Sequence, residues 1–538
     1  MVYEKRFYPT KPGAFDQWKR GVALAGVERA FPWGQNVVVK KGRGRGGLQM
    51  SPVPEIRVTR CNDVPVRSEG EFVLYWMTAF RRTRWNFSLQ KAVEWANHLA
   101  KPLLIFEALR VGYPWACDRF HRFVIDGMAD NSESLRKYGV SYYPYLEPAP
   151  DADKGLLAAL AEKACLVVTD DFPAFFLPRM IASASKKIPV YIEKVDSNGL
   201  LPMRTADRVF AAAKFFRLFL QKELPSHLSA MPDAEPLKGL KHKAPVHHLK
   251  DILKRWPAAS SKILEGDPDP LAGFPVDHEV SVVDQRGGAT EASRRRTSFV
   301  EKKLSAYEEN RNHPDDDGMS GLSPYLHFGH LSVHEIFHHL AAKEEWTLDH
   351  LPKKATGGRS GWWHMSETAE AFLDELVTWR ELGFNMCRQR EDYDQYLSLP
   401  GWAQQTLRDH QADQRRYVYA LDEFERAQTH DPLWNAAQGQ LLEEGRIHNY
   451  LRMVWGKKIL EWTSSPQEAL DIMIELNNKY GLDGRDPNSY TGIMWVLGRY
   501  DRPWGPERPI FGKIRYMSSE NTLRKVRATE YMERYKPR

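Results

Sequence analysis

Three tryptophans fall within DPLWNAAQGQLLEEGRIHNYLRMVWGKKILEW, residues 431–462, and the last two, Trp455 and Trp462, are seven apart. Indole is a large and easily oxidised π-system, so a series of them is suited to passing single electrons. On a helix seven residues turn about 700°, which leaves Trp455 and Trp462 within about 20° of one face and about 10 Å apart along the axis, the spacing of a stack. Aromatics at helical spacing usually fill a core, and the neighbouring patterns are what turn attention to chemistry. DELVTWRE (374–381) sets Glu375 and Trp379 four apart, a carboxylate beside an aromatic platform on one helix face. SGLSPYLHFG (320–329) puts small hydroxyl residues ahead of an apolar segment, suited to holding phosphate with hydroxyls and backbone amides at a helix start. LDGRDPNSYTGIMW (482–495) joins a DG turn to two aspartates able to reach ribose hydroxyls, then Trp495. NYLRMVW (449–455) sets Tyr450 and Met453 on one side of the helix that carries Trp455. Taken singly, each is a cap or a core pattern.

The elements that must position these residues divide by class. From about 70 to 200, the apolar runs FVLYWM (72–77), PLLIFEAL (102–109), VSYYPYLE (140–147), CLVVTDD (165–171) and IPVYIEKV (188–195) alternate with helical patterns, the signature of a parallel sheet covered on both faces. No GxGxxG follows the first strand, so the usual dinucleotide fingerprint is missing. Residues 225–290 are rich in Pro, Lys, Asp and Gly and read as an interdomain connector. From 291 onward helical periodicity dominates, with Ser366 as the expected N-cap of a helix over 366–390 and further helices over 446–462 and 465–480. The expected fold is an α/β Rossmann-like parallel-sheet domain (69–224), a connector (225–290) and an all-α domain (291–538). A partly flexible extension (1–68), with the basic KKGRGRGG at 40–47, precedes them.

At 538 residues the chain exceeds one ordinary core, and its 42% hydrophobic and 27% charged content is that of a globular protein. Four scattered cysteines, Cys61, Cys117, Cys165 and Cys387, form no CxxC or CxxH unit, which argues against a zinc module or a disulfide framework and for a reducing cytoplasm or nucleus. No apolar run reaches membrane-spanning length, and neither membrane insertion nor secretion is expected. Residues 487–538 hold eleven Lys and Arg against five Asp and Glu, a surplus equal to the whole-chain charge of +6. That end offers a basic surface for phosphates, or a solvated tail.

SGLSPYLHFG, THDPLWNA, LRMVWGKKILEW, LNNKYGLDGRDPN and GKIRYMS stand in an order and spacing that closely resemble those of the class II cyclobutane pyrimidine dimer photolyases, over roughly residues 70–535. The resemblance implies the photolyase/cryptochrome fold, with an α/β antenna domain and a helical domain holding a bent FAD. It implies an enzyme, a monomer acting on UV-damaged DNA, that uses FAD in its reduced form, FADH⁻, and needs no metal. By the resemblance Tyr307, Ser320, Leu322 and Ser323 hold the FAD phosphates and ribityl chain, and Asp483, Arg485 and Asp486 meet the ribose and isoalloxazine. Asn477 faces flavin N5, where its amide oxygen can accept a hydrogen bond. Trp455 is then the indole nearest the flavin, Trp434 the middle one and Trp462 the outer one, carrying electrons in from the surface. Trp379 and Trp495 wall the flipped dimer, Tyr450 and Met453 line the pocket, and Glu375 hydrogen-bonds the dimer and stabilises its radical anion. Arg502, Lys513 and Arg515, with Arg311 nearer the cofactor, are the expected DNA grip, Arg515 filling the space left by the flipped bases.

The N-terminal half departs from the family pattern. YWMTAFRRTRWNFS stands where the family carries an acidic and polar segment, so an 8-hydroxy-5-deazaflavin antenna and an empty cleft are the alternatives, with TRWNFS read as structural. Two other functions fit parts of the pattern. A cryptochrome-like photoreceptor would keep FAD and the tryptophans without repair, and a nucleic-acid-binding scaffold would use the basic end alone. The intact set Glu375, Trp379, Met453 and Trp495 favours repair over both.

Overall fold

FVLYWM is apolar at every position because it becomes an interior strand of a parallel sheet, buried on both faces. The computed structural model describes residues 52–247, 249–266 and 269–537, so KKGRGRGG and most of the expected extension lie outside the described residues. Strands β1 (Val58–Arg60), β2 (Phe72–Met77), β3 (Leu103–Leu109), β4 (Ser141–Leu146), β5 (Ala164–Asp170) and β6 (Tyr191–Val195) form one sheet in the order β1-β6-β5-β2-β3-β4. All neighbours are parallel except β1, which runs antiparallel to β6. The five expected strands all form. β1 is an addition: a three-residue edge strand within the expected 1–68 extension, too short for its alternation to be read.

Alternate side chains supply two cores. Phe72, Leu74 and Trp76 face one side with Leu104, Phe106 and Tyr143, while Val73, Tyr75 and Met77 face the other with Ile105 and Val168. Helix α1 (Phe87–Leu99) covers the second face. It starts where the Asn86 side chain accepts from the backbone amides of Ser88 and Leu89. Helix α2 (Asp118–Tyr138) turns Phe120 and Phe123 toward the C-terminal half. Helices α3 (Leu156–Ala161) and α4 (Leu177–Ser185) cover the first face. The connector expected over 225–290 is itself built into these layers. Leu237 and Leu240 join the core beneath α1, while Leu249, Ile252 and Trp256 close the opposite face, and the Trp256 indole N–H donates to the Ala152 carbonyl at 2.9 Å. Its Pro, Lys and Gly content disguised a strap that buries these apolar residues, while Leu253 and Val282 stay exposed.

In the C-terminal half, α5 (Glu367–Leu373) passes through a π-helical turn (Asp374–Trp379) into α6 (Arg380–Gln389). Helices α7 (Pro432–Glu444), α8 (Asn449–Glu461), α9 (Pro466–Tyr480) and α10 (Pro487–Val496) follow. Three of them begin with the same chemistry. Asp431, Ser465 and Asp486 each cap the first turn with a side-chain oxygen, and Pro432, Pro466 and Pro487 occupy the first helical position, where no amide donor is needed. Ser366 caps α5 as its sequence implied, accepting from the Ala369 amide.

The two halves pack as one unit from Gln49 to Arg538. At the carboxyl ends of β2 and β5, Asp170 accepts from the amides of Thr78, Ala79 and Phe80 at 2.8, 2.8 and 2.9 Å, shaping the turn on which the 327–330 loop rests. Gly329 (φ +73°) sits so close that a Cβ would lie 1.9 Å from the Ala79 carbonyl oxygen, and the Arg82 guanidinium donates to the Gly329 carbonyl. Arg119 on α2 reaches the carbonyls of Leu441 and Leu442 in α7 and of Tyr480 in α9, a cation at the negative ends of two helices. TRWNFS (83–88) is likewise engaged in the fold, through the Asn86 cap, the bonds that the Trp85 carbonyl accepts from Arg82, and the buried Trp85 ring.

Buried imidazoles line this junction. His330 stacks on Phe123 and accepts from the Gly288 amide, and His334 meets Phe87 edge-on. Burial pushes His330 down to about 3, His121 down to about 4 and His334 well below the free value. The folded protein therefore refuses protons that the unfolded chain takes up below pH ~6.5. Stability is full above that pH and falls as pH drops through the window, by about 1.4 kcal/mol per pH unit for each fully titrating group. Urea midpoints are expected to drop between pH 6.5 and 5, and His330→Gln is expected to reduce that drop; an unchanged slope in the variant would refute the assignment.

Candidate functional site

Trp434 at the start of α7 inserts between the two indoles that share a face of the next helical segment. Its ring is parallel to Trp455 (5°) at 6.3 Å between centroids and lies 6.1 Å from Trp462 at 67°. The expected stack of Trp455 on Trp462 is thus a three-ring series with Trp434 in the middle. Hydrogen bonds fix it: the Trp434 indole N–H donates to the Trp455 carbonyl and that of Trp455 to Gln438 Oε1, both at 3.0 Å. Trp462, expected as the surface station, is buried at 3% exposure, because exposed His430 and half-buried Tyr419 pack against it at 4.9 and 5.8 Å.

The π turn, a form that recurs at functional sites, carries Glu375 and Trp379. Arg311 pairs with Glu375 at 3.1 Å and lies over the Tyr307 ring. Burial raises the Glu375 carboxyl above its ordinary value against the opposing pull of Arg311, although about a third of the side chain (32%) stays open to solvent. Tyr307, buried between Phe299 and Phe372, is pushed up to about 12. Trp379, Tyr450, Met453 and Trp495 are all half-buried.

Ser323 at the start of the 323–327 helix donates to Asp483 at 2.8 Å, and Arg452 of α8 pairs with the same carboxylate at 2.9 Å. That pair holds the Asp483 carboxyl below its ordinary value, although burial works against it. Ser320 Oγ accepts from the amide of buried Leu322. Asp486 caps α10 and contacts His327 at 3.2 Å. Arg485 (φ +63°) turns inward: its guanidinium donates to the carbonyls of Asn478 and Gly481 and covers Phe120 at 3.7 Å. Instead of reaching out to a ligand, it holds the loop that presents Asp483 and Asp486.

Asn477 is 3% exposed, and its amide nitrogen donates to Ser489 Oγ at 2.8 Å and to Asn478 Oδ1 at 3.2 Å. With its amide nitrogen committed to those two oxygens, the Oδ1 is the atom left to accept an N–H from a bound group. Serine hydroxyls, a helix start, the Asp483 carboxylate and this oxygen together suit a flat, N–H-bearing ring system joined to a phosphorylated chain. Among the described residues no cluster of His, Cys, Asp and Glu is arranged to hold a metal ion.

Beyond α10, exposed Arg515 lies 5.8 Å from the Trp495 ring and 5.0 Å from Trp504, whose other neighbour is Arg502 at 4.4 Å. Lys513 is exposed but paired with Glu507 at 3.1 Å. Sequence reasoning missed Arg452, Gln438 and Lys457, whose partners lie in other segments, and Trp504, which sits between Arg502 and Arg515 outside any helix. The signal within reach was the run WGKK, which puts a lysine inside an otherwise apolar helical turn.

No protein-family model matches the chain. It is 36% identical over 481 residues to the deoxyribodipyrimidine photo-lyase of Methanothermobacter thermautotrophicus, covering 89% of this chain and 97% of that protein. Identity is 32% to the enzyme of the same name from Arabidopsis thaliana (86% and 88% covered) and 31% to that from Potorous tridactylus (88% and 83%). A class III photolyase from Agrobacterium tumefaciens, 17% identical, shares the fold at a TM-score of 0.63 over 87% of this chain and 86% of that one. The chain belongs to the deoxyribodipyrimidine photo-lyase family, within the photolyase/cryptochrome superfamily.

The close approach of α8 to α10 rests on Gly456, where a Cβ would lie 2.6 Å from a Val496 methyl and 3.0 Å from Met473 Sδ. Gly456→Ala is expected to cost about 1–3 kcal/mol in urea unfolding. A stability equal to the wild type's would mean that the two helices are not held at this distance.

Proposed function

We propose that the protein is a class II enzyme that repairs UV-damaged DNA with light, binding FAD and a cyclobutane pyrimidine dimer and returning the two bases intact. The observation that carries repair over light sensing alone is the Glu375–Arg311 pair, with its raised carboxyl, beside aromatic side chains left half open. A site that takes no substrate has no use for such a pair.

Tyr307, Ser320, the Leu322 amide and Ser323 hold the FAD phosphates and ribityl chain, while Asp483 and Asp486 serve the ribose side. Asn477 Oδ1 accepts the hydrogen bond from flavin N5 and so holds a proton at that atom. When bound, reduced FAD excited by blue light supplies the electron that opens the dimer. Photolyases are among the enzymes that act on extruded bases, and a damaged pair lowers the general cost of a few kcal/mol. Trp379 and Trp495 stack on the extruded dimer, Tyr450 and Met453 line its pocket, and Arg502, Lys513 and Arg515 hold the strands. Glu375, whose carboxyl burial raises above its ordinary value, hydrogen-bonds the dimer where negative charge builds up. Trp462, Trp434 and Trp455 are the reloading path: an electron moves inward from ring to ring and the positive charge outward. The 75–88 segment is engaged in fold contacts, and no pigment is assigned to it.

Chemically reduced protein mixed with a dimer-containing oligonucleotide is expected to yield intact thymines under blue light and none in darkness, read by chromatography. Trp455→Phe is expected to block photoreduction of the oxidised flavin while leaving repair by pre-reduced protein largely unchanged. Equal product in darkness would defeat the proposal.

A further inference from the structure

Lys457 is a buried cation that the repair scheme does not use. It lies on α8 two residues beyond Trp455 and is 0% exposed. Its ammonium donates to the Val496 carbonyl and stands 4.9 Å from the centre of the Trp495 ring. Its hydrogen-bond partner is a carbonyl and not a carboxylate, so no directly paired countercharge offsets the cost of burying the cation. A methionine would fill a similar volume without that cost. The charged groups that face it are Asp501, which favours the ammonium, and Arg515, which opposes it from its place 5.8 Å from the same indole. Asp501 accepts through Oδ1 from the Trp504 indole and the Arg502 amide, while its buried Oδ2 has no hydrogen-bond partner among the described residues. On the side of α9, Met473 closes the space beside Gly456. Trp495 thus has a buried cation near its ring in addition to the exposed Arg515.

We propose that Lys457 is a positioning residue for the dimer pocket: its ammonium fixes Trp495 as a stacking wall and, acting through that ring, favours negative charge on the bound dinucleotide. The inference rests on the repair reading above. In that scheme the dimer gains one electron, its ring opens, and the same electron returns to the donor. Lys457 neither gains nor loses an electron or a proton. A cation behind one face of the indole attracts the charge that builds on a dinucleotide stacked against the other.

Burial pushes the ammonium down to about 7, so its charge is present below that pH and lost above it. With chemically reduced, flavin-loaded protein and a single-dimer oligonucleotide, product per absorbed photon is to be followed from pH 6 to 9. The preference for dimer-containing over intact oligonucleotide is measured in parallel, in the dark. Wild-type yield and preference are expected to fall as pH rises through the lysine's titration. Lys457→Met should be flat and low, by roughly tenfold in yield at pH 6, the order expected of one buried charge. Lys457→Arg should be flat and high, which a merely structural role would not produce. A Met variant that keeps the wild-type profile, or an Arg variant that titrates like wild type, overturns the inference alone. If Met unfolds, as judged by flavin absorbance and melting, the Arg profile decides. A wild-type protein that neither prefers nor repairs dimers overturns the repair reading, and this inference with it.

Discussion

The close packing of α8 against α10 is the constraint on which the site depends. Gly456 lets the helices meet, and the residues on either side of it face different tasks. Trp455 turns toward Trp434 on α7, and Lys457 toward Trp495 on α10. A bulkier residue at 456 would separate helices that carry both the indole series and Trp495, the proposed electron path and pocket wall. The indole series and the substrate side are therefore coupled through one backbone contact, and neither can be repacked without disturbing the other.

The electrostatics of the two sides differ accordingly. Along the indole series the N–H groups of Trp434 and Trp455 meet neutral oxygen acceptors. Near Trp495 the neighbours are Lys457 and Arg515. An indole whose N–H donates to an oxygen loses an electron more readily, and one beside cations holds its electron more tightly. In the proposed scheme this contrast makes Trp434 and Trp455 carriers and Trp495 a platform, whereas Trp462, with Lys458 5.3 Å from its ring centre, has a cation of its own.

Much of this was legible in the sequence because it is local. Continuous apolar runs such as FVLYWM, set between helical patterns, gave the strands, and Ser366 marked a helix start through capping chemistry that needs no tertiary partner. What stayed hidden depends on distant residues. The edge strand Val58–Arg60 exists only by pairing with Tyr191–Val195. Trp434, the ring between Trp455 and Trp462, comes from another helix, so spacing along one segment could not reveal it and only the resemblance named it as the middle one. Arg485 resembles a ligand-facing residue in the motif, yet its conformation turns it into the fold. The site's overall composition came through the family resemblance; its hydrogen-bonded details came only from the structure.

The strap that seals the sheet has a consequence for biogenesis. Trp256, Ile252 and Leu249 emerge from the ribosome well after the last strand has left it, so the part of the first face that they close stays greasy while translation continues, with only α3 and α4 over that side. The Gly329 loop that rests on the sheet's carboxyl edge arrives later still. An N-terminal fragment ending at the last strand would thus be a sticky half-product and not an independent module, and the growing chain is most exposed to aggregation in the interval before its own downstream residues arrive.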